Sequence, residues 1–195
     1  MADTNKIRFG FKSVAYSLIT TTADTITYAA PKPWKGARSI TLDAQGDSST
    51  YYADDMAYFT TASNNGYSGS LTMAYWDDIN KKDIFGFLET ANGMLVEDAN
   101  AISKEVALLF ECQGDKNAVR HILFKVVFGR PAFEANTKED SISPDEVSVD
   151  ITVVPITDDL NHAFVKGEAY TTSSNYDTFF QTAPEVPTLA AATSD

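Results

Sequence analysis

The fold is decided by residues 106–128, whose sequence is VALLFECQGDKNAVRHILFKVVF. Two almost continuously apolar runs, at 106–112 and 121–128, flank the polar group QGDKN at 113–117. Short runs rich in Val, Leu, Ile and Phe are typical of strands, and the polar group between them is typical of a hairpin turn. Because the runs are continuous instead of alternating, we expect both faces of these two strands to be covered.

On either side of this pair, four stretches alternate apolar and polar residues with the period of two that strands have. They lie at 7–11, 40–42, 71–75 and 147–153. One stretch, at about 78–90, has helical spacing instead, because Ile84, Phe85 and Leu88 share one face and an aspartate before them can cap a helix. The pattern predicts a mostly β protein with one helix.

Two stretches do not fit a compact domain. Residues 43–69 are polar and aromatic over a length that usually indicates a functional or disordered loop. Residues 171–195 are rich in Thr, Ser, Ala and Pro, so we interpret them as a C-terminal extension of a domain at 1–170. The extension carries Tyr176, Phe179 and Phe180, which we expect to dock on the same domain or, as the preferred alternative, on a neighbouring copy of the chain.

The charge of the chain argues against nucleic-acid binding. The formal net charge is −12, with 15 Lys and Arg against 27 Asp and Glu. Affinity for nucleic acid depends on Lys and Arg that displace counterions from phosphates. Cys112 is the sole cysteine, so no disulfide can form within the chain. No stretch approaches the roughly 20 apolar residues of a membrane-spanning helix, so we predict no membrane anchoring.

The sequence also predicts no catalytic chemistry. The two histidines, His121 and His162, lack a cysteine or a second histidine at metal-ligand spacing. The acidic residues at 43–55 lack the order of a calcium-binding loop. No P-loop, GxSxG, HExxH or GxGxxG motif is present. We therefore expect no catalytic residues, no metal and no cofactor.

Several segments, in this order along the chain, resemble the major tail proteins (tail tube proteins) of siphophages that infect Gram-positive hosts. They are KIRFGFKSV at 6–14, DAQGDSSTYYADDMAY at 43–58, SNNGYSGSL at 63–71, ALLFE at 107–111, RH at 120–121, GRP at 129–131 and KE at 138–139. The resemblance covers about residues 6–170. The order and density of these segments make the resemblance specific.

This resemblance implies an antiparallel β-sandwich or barrel-like fold with one flanking helix and with extended loop and terminal arms. It implies subunits that form hexameric rings, which stack into a tail tube through which DNA passes without specific binding. The partners would be other copies of the chain and tail proteins such as the tape measure and terminator proteins. The protein would be assembled in the host cytoplasm and would reside in the virion tail.

Two sets of residues are expected to serve assembly. Tyr is enriched at protein interfaces, so residues of the long loop and the extension are predicted to contact neighbouring subunits. They are Tyr51, Tyr52, Asp54, Asp55, Tyr58, Tyr67, Tyr176, Phe179 and Phe180. Polar residues of three alternating strands are predicted to face the lumen, because they include no Lys or Arg that would hold phosphates. They are Ser39, Thr41, Asp43, Ser70, Thr72, Ser148, Asp150 and Thr152.

Two other functions are compatible with the same residues. A monomeric β-sandwich that binds carbohydrate, or acts as an adhesin on a phage particle, would use the aromatic residues as a sugar platform. An enzyme of unknown class need not carry a recognisable motif. Rings or tubes in micrographs of the purified protein would favour the tail tube over both.

Overall fold

The computed structural model describes residues 5–22, 25–133, 135–137 and 145–189. These residues form fifteen strands and one helix. The elements are β1 (Arg8–Thr22), β2 (Thr25–Tyr28), β3 (Lys32–Pro33), β4 (Ala37–Gln45), β5 (Ser48–Ala53), β6 (Met56–Ala62), β7 (Gly66–Met73), α1 (Asp78–Phe85), β8 (Leu88–Glu89), β9 (Leu95–Val96), β10 (Val106–Gly114), β11 (Val119–Phe128), β12 (Val147–Val153), β13 (Ile156–Thr157), β14 (Ala163–Phe164) and β15 (Lys166–Ala169). The segment at 138–139 and the end of the extension, 190–195, lie outside the described residues.

Nine strands form one antiparallel sheet in the order β2-β1-β10-β11-β12-β7-β4, with β15 added to β11 and β3 added to β1. The strand β11 joins two halves of this sheet. Its residues 120–123 pair with β15, and its residues 126–128 pair with β12. The half that contains β1 and β10 and the half that contains β7 and β4 enclose one hydrophobic core. The expected mostly β, antiparallel sandwich with one helix is thus confirmed.

The main core lies between the two halves of the sheet, and its largest side chains are aromatic. Trp34, Trp76, Phe85 and Phe128 are all buried. The ring centres of Trp34 and Trp76 lie 4.3 Å apart in an edge-to-face arrangement, and Trp76 stacks on Phe85 at 4.9 Å. Because Phe85 belongs to α1, this stack fixes the helix against the sandwich.

The helix α1 is shorter than the sequence predicts. Asp77 caps it, since the side chain accepts a hydrogen bond from the N–H of Asn80 at 2.8 Å. The helix ends at Gly86, whose φ of 71° is a left-handed conformation that glycine adopts at little cost. The expected limit near residue 90 is therefore wrong, and Leu88 lies in β8 with an exposed side chain.

The strands β10 and β11 are covered on their other face as well, as their continuous apolar pattern predicts. Ala107, Leu109, Ile122 and Phe124 belong to a second core, separate from the main core. The short hairpin β13–β14 and the chain after β15 complete this core. Phe179 of that last segment is 9% exposed, so it is a true core residue.

An arginine joins the C-terminal segment to the sheet. Arg120 Nε donates a hydrogen bond to Glu111 Oε2 at 3.0 Å, and its guanidinium lies 4.0 Å from the ring centre of Tyr176 and 5.2 Å from that of Phe180. The hydroxyl of Tyr176 donates to the C=O of Ala118 at 3.0 Å. The segment therefore packs on its own domain. The domain boundary at residue 170 falls just after β15 and stays a prediction.

Residues 43–69 do not form the long loop that their composition suggests. The strands β4 and β7 extend into this stretch from both sides, and β5 and β6 form a two-stranded ribbon between them. The N–H of Asn65 donates to the C=O of Gln45 at 2.7 Å, and the N–H of Ser63 donates to the C=O of Asp47 at 3.0 Å. The ribbon is thus a continuation of the β4–β7 ladder.

Two aspartates turn the chain at the end of this ribbon. Asp54 and Asp55 have φ angles of 51° and 57°, and a two-residue hairpin loop with both angles positive is a type I′ turn. Asp tolerates this conformation better than most residues, although Asn and Gly suit it best. Neither face of the ribbon is buried, so neither face has to be apolar. An alternation of apolar and polar residues therefore does not reveal these two strands in the sequence.

Replacing Phe179 with alanine is expected to lower the free energy of unfolding by about 3 kcal/mol, which is typical for removing a buried aromatic ring. Denaturant unfolding followed by circular dichroism measures the change. Thr178→Ala, at the exposed neighbouring position, is the matched control and should change stability by less than about 0.5 kcal/mol. Equal effects of the two substitutions would show that the C-terminal segment is not part of the folded domain.

Candidate assembly surfaces

The predicted lumen-facing residues come together on the outer side of β4, β7 and β12. The strand register places them in three rows across the sheet: Ser39, Thr72 and Ser148; Thr41, Ser70 and Asp150; Asp43, Ser68 and Thr152. The alternate residues of these strands, such as Leu71 and Ile151, lie in the main core. Sequence reasoning left out Ser68, although the alternation along β7 indicates it.

Hydroxyl groups bind one another across these rows. The oxygens Thr41 Oγ1 and Ser70 Oγ lie 2.9 Å apart, and a second hydroxyl pair joins β7 to β12. The side chains of the rows are short, and their charged members are Asp43 and Asp150, both acidic. This polar face is therefore even in height and negative in charge. A phosphate backbone would find no cation in these rows to bind.

The β5–β6 ribbon stands outside both cores, and none of its residues is buried. Its large apolar side chains are between 62% and 75% exposed: Tyr51, Tyr52, Met56, Tyr58 and Phe59. The contact residues predicted from the sequence include the three tyrosines but neither Met56 nor Phe59. An isolated two-stranded hairpin is marginally stable in water, and a large exposed apolar patch indicates an interaction site. The ribbon is therefore a candidate interface.

Four of the predicted contact residues lie away from the ribbon. Tyr67 of β7 is half-buried against the main core, with Lys166 Nζ 5.4 Å from its ring centre. Tyr176, Phe179 and Phe180 belong to the second core or pack against it. The structure therefore does not bring these four side chains together with the ribbon. Their contact with a neighbouring subunit stays a prediction.

The titratable side chains of His121 and Cys112 are packed among other residues of the fold. The ring of His121 stacks on Phe110 at 5.1 Å, and burial lowers the pKa of the imidazole, which favours its neutral form. Burial likewise raises the pKa of the Cys112 thiol. Within the described ranges, no group of three His, Cys, Asp or Glu side chains is placed to hold a metal ion. In the same part of the chain, no helix is long and apolar enough to cross a membrane.

No curated protein matches the chain by sequence. A family model described as phage tail tube protein matches residues 2–177, which include the polar face, the ribbon and Tyr176. Proteins of this kind are structural components of the virion tail, associate with one another and with further tail components, and are not enzymes. The match confirms the resemblance seen in the sequence, and the chain belongs to the phage tail tube protein family.

Proposed function

We propose that this chain assembles into hexameric rings, that the rings stack into the tail tube, and that DNA passes through the tube during ejection. The observation that carries the proposal is the β5–β6 ribbon, whose aromatic side chains are left uncovered by their own domain. Removing apolar surface from water contributes roughly 25 cal/mol per Å² to such a contact, before the entropy cost of association is subtracted. The same contact would support a ribbon that is marginally stable alone.

The polar face of β4, β7 and β12 suits the wall of the lumen. Its two carboxylates repel phosphates, and its rows carry no Lys or Arg. Phosphate contacts from such cations are the main source of non-specific DNA affinity, so DNA would slide along this wall without being held. The short hydroxyl side chains would also leave the channel free of projections.

The edge of the sheet offers a way to close the ring. Among the described residues, β4 pairs with β7 alone, so its other edge has no strand partner. Unpaired N–H and C=O groups at a sheet edge favour pairing with a further strand. We propose that the sheets of neighbouring subunits continue one another around the lumen. A structure of the assembled tube with β4, β7 and β12 on the exterior would contradict this arrangement.

Two further tail components are proposed partners. A tube of defined length needs a protein that spans its lumen and a protein that ends its growth, which are the roles of tape measure and terminator proteins. We propose that both contact assembled rings and that assembly takes place in the cytoplasm of a Gram-positive host. Both parts of this proposal derive from the resemblance to siphophage tail tube proteins.

Changing Tyr51 and Tyr52 together to serine is expected to leave a folded monomer that no longer forms tubes. The two side chains contribute little to their own domain because both are largely exposed, but they would supply much of the apolar contact with a neighbour. Negative-stain microscopy measures tube yield, and circular dichroism checks the fold.

The matched control for this pair is Tyr75→Ser. Tyr75 is similarly exposed but lies outside the ribbon, before α1. We expect this variant to form tubes like the unaltered chain. Tube yield from the double-serine variant equal to that of the control would argue against the ribbon as the assembly surface.

Changing Asp43 and Asp150 to lysine should slow DNA ejection, because cations in the lumen would bind phosphates. The effect should be larger at low salt, since the Debye length grows from about 10 Å at 0.1 M to about 30 Å at 0.01 M ionic strength. Ejection can be timed by dye fluorescence from particles that carry the variant. The same two positions changed to asparagine provide the control, with ejection close to normal. A lysine variant that ejects normally at low salt would contradict the lumen assignment.

A further inference from the structure

A cleft of about 430 Å³ lies where residues of β1, β4, β10, β11 and β15 meet. Its floor is apolar and includes Phe11, Ile40 and Phe110. Phe9 also lines it and is 51% exposed, so the chain leaves apolar surface uncovered here. A concave site of this size can receive a few side chains, as ligand pockets do.

The cleft is positive although the chain as a whole is strongly negative. Arg8, Arg38 and Lys166 line it, together with a single carboxylate, Glu168. Arg38 is paired with Glu146, but in the described part of the chain neither Arg8 nor Lys166 has a salt-bridge partner. A complementary ligand therefore combines acidic groups with apolar side chains.

A buried histidine gives the cleft a further polar feature. His121 lines it, is 5% exposed, and has no hydrogen-bond partner for Nε2 among the described residues. Its Nδ1 lies 3.5 Å from a carboxylate oxygen of Glu168. With the ring proton on Nδ1, facing that carboxylate, Nε2 is an unpartnered acceptor that is itself buried beneath the surface of the cleft.

The tip of the β5–β6 ribbon has the composition that this cleft requires. Asp54 and Asp55 form the turn, and residues 48–62 contain no Lys or Arg. Met56 directly follows the turn, Tyr52 lies two residues before it, and both are largely exposed. The two carboxylates complement the cations, and the apolar side chains complement the floor.

The path of the chain separates the tip from the cleft of the same subunit. The ribbon continues the β4–β7 ladder, so its tip leads away from the part of β4 that lines the cleft. From Leu42, the last cleft residue of β4, the chain runs about 40 Å to Asp54 at roughly 3.3 Å per residue. A second copy of the chain is therefore the better source of the tip.

We propose that the ribbon tip of one subunit inserts into the cationic cleft of a second copy of the chain. This inference rests on the proposed tube assembly and specifies which surfaces meet in it. The contact joins two different patches, so it is heterologous. A heterologous contact repeats from copy to copy and builds an open filament when its rotation does not close, which is the requirement for stacked rings.

The native Cys112 lines the cleft and is the sole cysteine, so it can report the contact directly. Met56→Cys, treated with a short bismaleimide under tube-forming conditions, is expected to give covalent dimers and higher multimers. Two controls should give almost none: the unaltered chain, and Met56→Cys combined with Cys112→Ser. Thr157→Cys, at an exposed position outside the ribbon and the cleft, is the matched control for the new thiol.

Charge exchange tests the same contact independently. Arg8→Glu with Lys166→Glu should raise the protein concentration needed for tube formation by about tenfold or more. Adding Asp54→Asn, Asp55→Gly and Met56→Lys makes the tip positive with residues that suit a type I′ turn, and should restore assembly. Adding Asp54→Asn and Asp55→Gly alone, which leaves the tip neutral, should not restore it.

The outcomes separate this contact from tube assembly in general. If the Met56→Cys chain forms tubes but gives no link to Cys112, or links only within one chain, insertion of the tip is wrong and tube assembly stands. Normal tube formation by the Arg8→Glu, Lys166→Glu variant would lead to the same conclusion. If the unaltered chain forms neither tubes nor multimers, the proposed assembly fails and this contact fails with it.

Discussion

Two neighbouring strands that are apolar on both faces impose the arrangement of the rest of the chain. The strands β10 and β11 contribute alternately to the main core and to the second core, so two separate layers have to cover them. The half-sheet β12-β7-β4 and α1 cover one face, and the hairpin β13–β14 with the C-terminal segment covers the other. If the second face were open, Leu109 and Phe124 would each lose on the order of 2 kcal/mol of burial.

This double cover uses the end of the chain as part of the fold. The segment after β15 is held by Arg120, whose charge is satisfied by Glu111 while its flat guanidinium packs on Tyr176. A core that closes with the last part of the chain depends on contacts between residues far apart in sequence, which form late and slowly in β proteins. With this segment committed to the second core, none of its described residues, up to 189, covers the β5–β6 ribbon.

The sequence predicts those parts of the structure in which burial leaves a periodic trace. The rows on β4, β7 and β12 follow from alternation, and the double cover of β10 and β11 follows from the lack of it. The ribbon left no trace because it has no buried face. The helix was predicted to end too late, because a glycine such as Gly86 fits two roles. It can occupy an unfavourable position inside a helix, or it can adopt the left-handed conformation that ends one. The cationic cleft was invisible because Arg8, Arg38 and Lys166 come together only when distant strands fold.

The polar face, the β5–β6 ribbon and the cationic cleft differ in charge. This separation of charge suits both the passage of DNA and the contact between subunits. Most cations of the described residues are held in salt bridges, such as Lys12 with Glu111 and Lys125 with Glu105, and the polar face has none in its rows. Two cations without such partners, Arg8 and Lys166, instead line the cleft. Attraction between cleft and ribbon tip weakens with salt, as does repulsion between the lumen wall and phosphate, because both are screened over the same Debye length. At moderate ionic strength, the apolar contacts of the ribbon are therefore expected to be the main source of cohesion in the proposed tube. The charges select which surfaces meet.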